Sequence, residues 1–162
     1  NTLIKSSVHD VERARYSMEL AAVSLFYLDQ PAKCLVILDD YVGESFDANR
    51  IRFLALKGCS LYQEAILILE KMLTRTSQPL EKSVVLFHYG LILVLLKKHE
   101  EAHAKFKESY GLTSNVSTLI ELTKVSIVLK KTDEIKIILE KVMSTSDPSL
   151  RDRAQSYLDR MI

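Results

Sequence analysis

Four histidines and two cysteines are the side chains of this 162-residue chain best suited to bind a metal or attack a substrate. His99 and His103 stand four residues apart, the spacing that places two imidazoles on one helical face. No H-E-x-x-H pattern surrounds them, and no Cys or Asp cluster offers further ligands, so the pair reads as a solvated surface beside Glu100 and Glu101. His88 lies inside an apolar run and reads as a hydrogen-bonded interior or groove histidine, and His9 carries no signal. Cys34, beside Leu35, Val36 and Ile37, has the setting of a small packing residue rather than of a nucleophile paired with a base. Cys59 also falls in a helical pattern; the two are read as buried apolar residues rather than a disulfide, which points to a reducing intracellular compartment, cytoplasm or nucleus. Asp39 and Asp40 close a helix and face solvent or the next turn. There is no glycine-rich phosphate loop, no G-x-S-x-G elbow and no paired-carboxylate pocket. The expectation is a chain that is not an enzyme, with no cofactor and no metal site.

The elements that carry these residues are helical. Only 4 Gly and 3 Pro occur, too few turn formers for an all-β fold. Hydrophobic residues at 48% and charged residues at 27% fit an ordinary globular core. The formal charge of +1, from 22 basic and 21 acidic residues, argues against a nucleic-acid surface. The lysine pairs Lys97-Lys98 and Lys130-Lys131 suit helix C-termini, where cations complement the dipole. The apolar run over 84–96 is too short to cross a bilayer, which takes about 20 residues. Apolar spacing predicts helices over 11–28, 31–41, 48–57, 61–75, 80–97, 99–110, 116–129, 132–143 and 149–161. In the first of them the apolar stripe is Val11, Tyr16, Leu20, Val23 and Tyr27. Gly43 and Gly111 are expected to stop helices, and Asp47 and Thr132 to cap them. Pro79 falls in a linker with Ser77 and Gln78.

Paired helices with short turns invite a search for a fixed period. The third pair reads Leu86-x-x-Tyr89-Gly90-x-x-Leu93, then Ala102-x-x-x-Phe106 and a small Ser109. This resembles the tetratricopeptide pattern W-x2-L-G-x2-Y followed by A-x3-F, with Leu86 at the Trp position and Leu93 at the Tyr position. The second pair offers Leu61-Tyr62-Gln63-Glu64-Ala65 with Leu69, although Phe53 stands where a small residue is expected. The first pair matches through Met18, Ala21, Ala22, Leu25, Cys34 and Leu38, and the fourth through Leu119, Leu122, Ile135, Leu139 and Pro148. Anchors Cys34, Ala65, Ala102 and Ile135 are separated by 31, 37 and 33 residues, scattered about the family's period of roughly 34. The resemblance implies an all-α fold: a right-handed superhelical array of antiparallel helix pairs, about four repeats plus a terminal helix, forming a single domain over 1–162. The repeats would cover 11–43, 47–76, 80–113 and 116–147, with the terminal helix over 149–161. In that arrangement Gly90 and Ala22 allow close helix approach, and Phe106, Leu69, Leu38 and Leu139 fill the gap to the following repeat.

By the family's geometry, the inward face of the first helices carries Tyr16, Val23, Phe26, Tyr27, Leu54, Phe87, Leu91, Val94, Leu95, Ile120 and Ile127. These residues would form a protein-binding groove that takes a helical segment of another subunit or a second copy in a homodimer. Only Glu19, Arg50, Lys57 and Lys124 interrupt it, which disfavours a receptor that clamps a peptide carboxylate of a chaperone tail with Lys, Arg and Asn. The implied function is a protein–protein interaction scaffold within a multiprotein complex, with no nucleic acid bound and no membrane inserted. The order of pairs is similar to the N-terminal repeats of tetratricopeptide subunits of the anaphase-promoting complex, a cell-cycle assembly. The stretch 20–38 also looks like repeat segments of a coatomer-type trafficking scaffold.

Overall fold

A computed structural model describes residues 2–39, 44–144 and 147–161, with side chains from residue 9 onward. Gly43, with Asp40, lies outside the described residues. The described residues form nine α-helices and no strand: α1 (Thr2–Phe26), α2 (Pro31–Asp39), α3 (Phe46–Gly58), α4 (Tyr62–Arg75), α5 (Pro79–Leu95), α6 (His99–Thr113), α7 (Val116–Leu129), α8 (Asp133–Met143) and α9 (Pro148–Asp159). The chain divides into two compact units, residues 1–76 and residues 77–162.

The first unit holds α1 to α4, each packed on its sequence neighbour. α1 is the longest helix because nothing in 2–26 breaks it, and it begins well before the expected residue 11. Its buried face is built from small side chains. Ala21 is fully buried, with Met18, Ala22 and Leu25 packed around a cluster of Cys34, Leu38, Ile51 and Ala55. The stripe of larger residues, Tyr16, Leu20, Val23 and Tyr27, faces solvent. α3 is capped by Ser45, whose Oγ accepts from the Ala48 N–H at 3.1 Å. Asp47, the expected cap, sits inside the first turn, where its charge complements the dipole. Phe53 is fully buried in α3, so the large residue at a position expected to be small is accommodated. Across the unit, the Glu44 carboxylate takes both Lys71 and Arg75, and these two hydrogen bonds hold it down at about pKa 2.

The second unit holds α5 to α9. Pro79 belongs to the first turn of α5 rather than to a linker, since its missing N–H costs nothing there. Gly90 of α5 lies against the ring of Phe106 in α6, and the Phe87 ring centroid is 6.0 Å from that of Phe106. Phe106 therefore fills space inside its own pair, over Gly90. Between the same helices, Ser83 and Ser109 are buried and bonded to each other's backbone: Ser109 Oγ donates to the Ser83 carbonyl at 2.8 Å and Ser83 Oγ to the Ser109 carbonyl at 3.1 Å. Ser83 Oγ also reaches Thr113 Oγ1 at 2.7 Å. That bond accompanies the last turn of α6, which runs through the expected stop at Gly111 and ends only at left-handed Ser114. Asn115 then caps α7, accepting from the Ser117 N–H at 2.8 Å. Thr132 holds the cap position of α8 without a side-chain bond, and Asp147 caps α9.

One turn recurs through both units. Residues Asp29, Ser60, Lys97 and Lys130 all adopt positive φ, at 49, 61, 59 and 57°. Each lies five residues before one of the anchors Cys34, Ala65, Ala102 and Ile135, so the steps of 31, 37 and 33 residues reappear in the backbone. In three of the four turns the same two bonds close the helix end. Ser60, Lys97 and Lys130 N–H donate to the carbonyls of Lys57, Val94 and Ile127; the next residues, Leu61, Lys98 and Lys131, donate to Leu56, Leu93 and Ser126. This is the Schellman arrangement, in which glycine is the favoured left-handed residue. A lysine there carries the steric cost of a Cβ in left-handed backbone, about 1 kcal/mol or more. Lys130→Gly is expected to stabilise the chain by about 0.5 kcal/mol after the loss of a favourable cation near the helix C-terminus. A chemical melt that moved towards lower denaturant would contradict this.

Candidate functional site

Positions counted from the left-handed residue give a common frame for the pairs. Two residues before it stand Tyr27, Leu95 and Val128, which are 83, 50 and 59% exposed. Three before it stand Phe26, exposed, and Val94 and Ile127, half-buried. Six before it stand Val23, exposed, and Leu54 and Leu91, half-buried. The remaining expected groove residues are Tyr16, exposed, and Phe87 and Ile120, half-buried. Tyr16, Val23, Phe26, Tyr27 and Leu54 belong to the first unit; Phe87, Leu91, Val94, Leu95, Ile120 and Ile127 belong to the second. Phe87 is set against the rings of Phe106 and, at 5.4 Å, His88.

Unit 1 carries the strongest exposed apolar feature. Tyr16, Leu20, Val23 and Tyr27 follow at intervals of four, three and four residues. At 3.6 residues per turn this puts Tyr16, Leu20 and Val23 in one row along α1, and Tyr27, in the turn just past its end with its N–H on the Val23 carbonyl at 3.1 Å, continues it. They are 68, 40, 41 and 83% exposed, and Phe26 and Leu28 flank them, also more than half exposed. The row lies on the side of α1 opposite the buried Ala21 and the half-buried Leu25. The helix is thus apolar on two sides and, among the described residues, has an intramolecular partner for only one. Leu20, absent from the expected groove, belongs to this row. A second series was also missed: Val36, Leu67 and Ile137, 68, 64 and 56% exposed, each seven residues beyond the left-handed residue. Its signal was available in the repeat register, once the anchors of the second helices had been aligned.

The polar candidates form a different surface. His103, Lys107, Lys130, Lys131, Asp133 and Glu134 line a cleft of about 430 Å³ in unit 2. Lys107 pairs with Glu134 at 2.7 Å and Lys131 with Glu100, so the cations of the cleft are largely matched by carboxylates. His103 is half-buried rather than freely solvated; burial, then Lys131 and Lys107, push its pKa below the ordinary imidazole value. His99 is half-buried at the start of α6. Among the described residues no group of three or more His, Cys, Asp or Glu gathers in a way that could hold a metal. Lys97 and Lys130 occupy the left-handed turns, and Lys98 and Lys131 pair with Glu101 and Glu100. Cys34 and Cys59 are free thiols, buried and half-buried respectively. Among the described residues no helix is long and apolar enough to cross a membrane. Comparison with protein-family models, with curated proteins and with solved structures returns no match.

Proposed function

We propose that this chain is a non-catalytic protein-interaction scaffold, a tetratricopeptide-like right-handed array of helix pairs that serves as a subunit of an intracellular multiprotein assembly. Among the families it resembles, the tetratricopeptide subunits of the anaphase-promoting complex are the favoured kind. The observation that carries the reading is the second apolar face of α1. α9 turns a charged side to solvent, with Arg151, Asp152, Arg153, Asp159 and Arg160 all exposed. α1 does the opposite, presenting Tyr16, Leu20, Val23 and Tyr27 outward. Exposed apolar rows of this size on proteins mark interaction sites, and a 3–4 spacing suits the ridge of a second helix.

The occupant we assign is α1 of a second copy, in a two-fold dimer. A specific interface takes about 800 Å² per partner, and each aromatic side chain supplies about 150–250 Å² when covered. Tyr16, Phe26 and Tyr27, with Leu20, Val23 and Leu28, offer surface of that order, each at 40% exposure or more. The test is Leu20→Glu combined with Val23→Glu, on the side of α1 away from its core contacts. Light scattering should give twice the chain mass of 18.5 kDa for the parent protein and a single chain mass for the variant, with unchanged helical circular dichroism. A parent protein that is monomeric at tens of micromolar, or a variant that still dimerises, overturns the assignment.

A further inference from the structure

The first and second pairs meet where the start of α2 lies against the end of α3, and both cysteines stand at that junction. Ile51 and Ala55 of α3 and Cys59, the residue that caps its end, follow at intervals of four and so share a face. Ile51 and Ala55 belong to the same buried cluster as Cys34 and Leu38 of α2. The end of the row is set by Gly58, where a Cβ would come within 2.9 Å of the Pro31 Cβ. Pro31 and Cys34 are three residues apart, one turn along the same side of α2. Cys59 is half-buried and so keeps part of its surface in solvent, whereas Cys34 is buried in the cluster.

We propose that Cys34 and Cys59 form a redox-active pair, converted by an oxidised small-molecule disulfide into an intramolecular disulfide that fastens α2 to the end of α3. The Cys59 thiolate attacks one sulfur of the reagent, forming a mixed disulfide and releasing one small thiolate. Cys34 then loses its proton to solvent and attacks Cys59 Sγ, expelling the second small thiolate. Two protein thiols are oxidised by two electrons, and one reagent disulfide is reduced to two thiols. Burial, with the neighbouring Cys59 adding to it, pushes the Cys34 thiol up to about 11. The closing step is therefore slow at neutral pH and gains about tenfold per pH unit while the Cys34 thiolate is the minor form.

Native protein incubated with oxidised glutathione should lose two hydrogen masses without gaining glutathione, and peptide mapping without reductant should join the segments containing Cys34 and Cys59 within one chain. The rate of the closing step should rise about tenfold from pH 7 to pH 8. The linked form should melt at higher temperature than the reduced one, and dithiothreitol should reverse the shift. Cys59→Ser should abolish the linked species while Cys34 stays unmodified in the folded state. Persistent glutathione on Cys59 with Cys34 still titratable as a free thiol after denaturation would overturn the proposal, as would links formed only between chains.

Discussion

Gly90→Leu is expected to lower stability by about 3 kcal/mol, the upper end of ordinary overpacking. Even a single carbon has no room: a Cβ at Gly90 would lie 2.5 Å from Phe106 Cε1, 2.7 Å from Cδ1 and 2.8 Å from Cζ. The ring cannot swing aside cheaply, since Phe106 is fully buried and Phe87 is beside it. Leu86 and Leu93, on either side of Gly90 in α5, are also buried and close off escape along the helix. Alanine gains about 1 kcal/mol of helix propensity over glycine, yet Gly90→Ala should still destabilise, because the contact is far inside van der Waals range. Phe106→Leu should partly rescue Gly90→Ala, giving a non-additive cycle. Urea denaturation of the four proteins measures this. A Gly90→Leu midpoint equal to that of the parent would show that α5 and α6 do not touch at this residue.

Ala102→Asp should cost about 3–5 kcal/mol at neutral pH, the range for a buried charge without a partner. Ala102 is fully buried at the anchor of α6, so a carboxylate there is cut off from water. The damage should depend on pH in a defined direction. Burial raises the carboxyl pKa of the folded variant above its unfolded value. The penalty is therefore fully present above the folded pKa and shrinks as pH falls towards the unfolded value near 4. Denaturation at pH 7.5 and pH 5 should show the variant closer to the parent at pH 5. Ala102→Ser, which adds a hydroxyl but no charge, should show little pH dependence relative to the parent. A variant equally impaired at both pH values would point to steric rather than electrostatic disruption.

Helix existence was legible in the sequence because apolar spacing, few glycines and strong helix formers all agree. The register of the pairs was legible too: the anchors Cys34, Ala65, Ala102 and Ile135 all prove buried, as do Leu38, Leu69, Phe106 and Leu139 four residues on. What spacing could not decide was which of two apolar faces of α1 is inside. The larger Tyr16, Leu20, Val23 and Tyr27 stay outside, and close helix approach selects the small Ala21 and Ala22 for the packed side. Ends were misplaced where two capping residues compete within a few positions. Ser45 outdoes Asp47 because its hydroxyl reaches the Ala48 amide, and Ser114 displaces Gly111 as the end of α6. The Ser83–Ser109–Thr113 contacts depend on a neighbour 26 or more residues away, and no local pattern announces them. The expected groove residues belong to two compact units, and the row on α1 was legible from spacing, whereas its exposure required the burial of the opposite side.

The packing of helices on their immediate sequence neighbours also bears on how fast the chain finds its fold. α1 with α2, α2 with α3, α3 with α4, α5 with α6 and α6 with α7 all associate across short turns, and the more distant partnerships, α1 with α3 and α5 with α7, skip a single helix. Little chain entropy is surrendered before such contacts return energy, because each loop to be closed is short. Helical proteins with contacts of this local kind cross their folding barrier in microseconds to milliseconds. A left-handed lysine at a hairpin turn is then tolerable in a kinetic sense as well: the turn it slows is one local closure, and no distant strand has to wait for it.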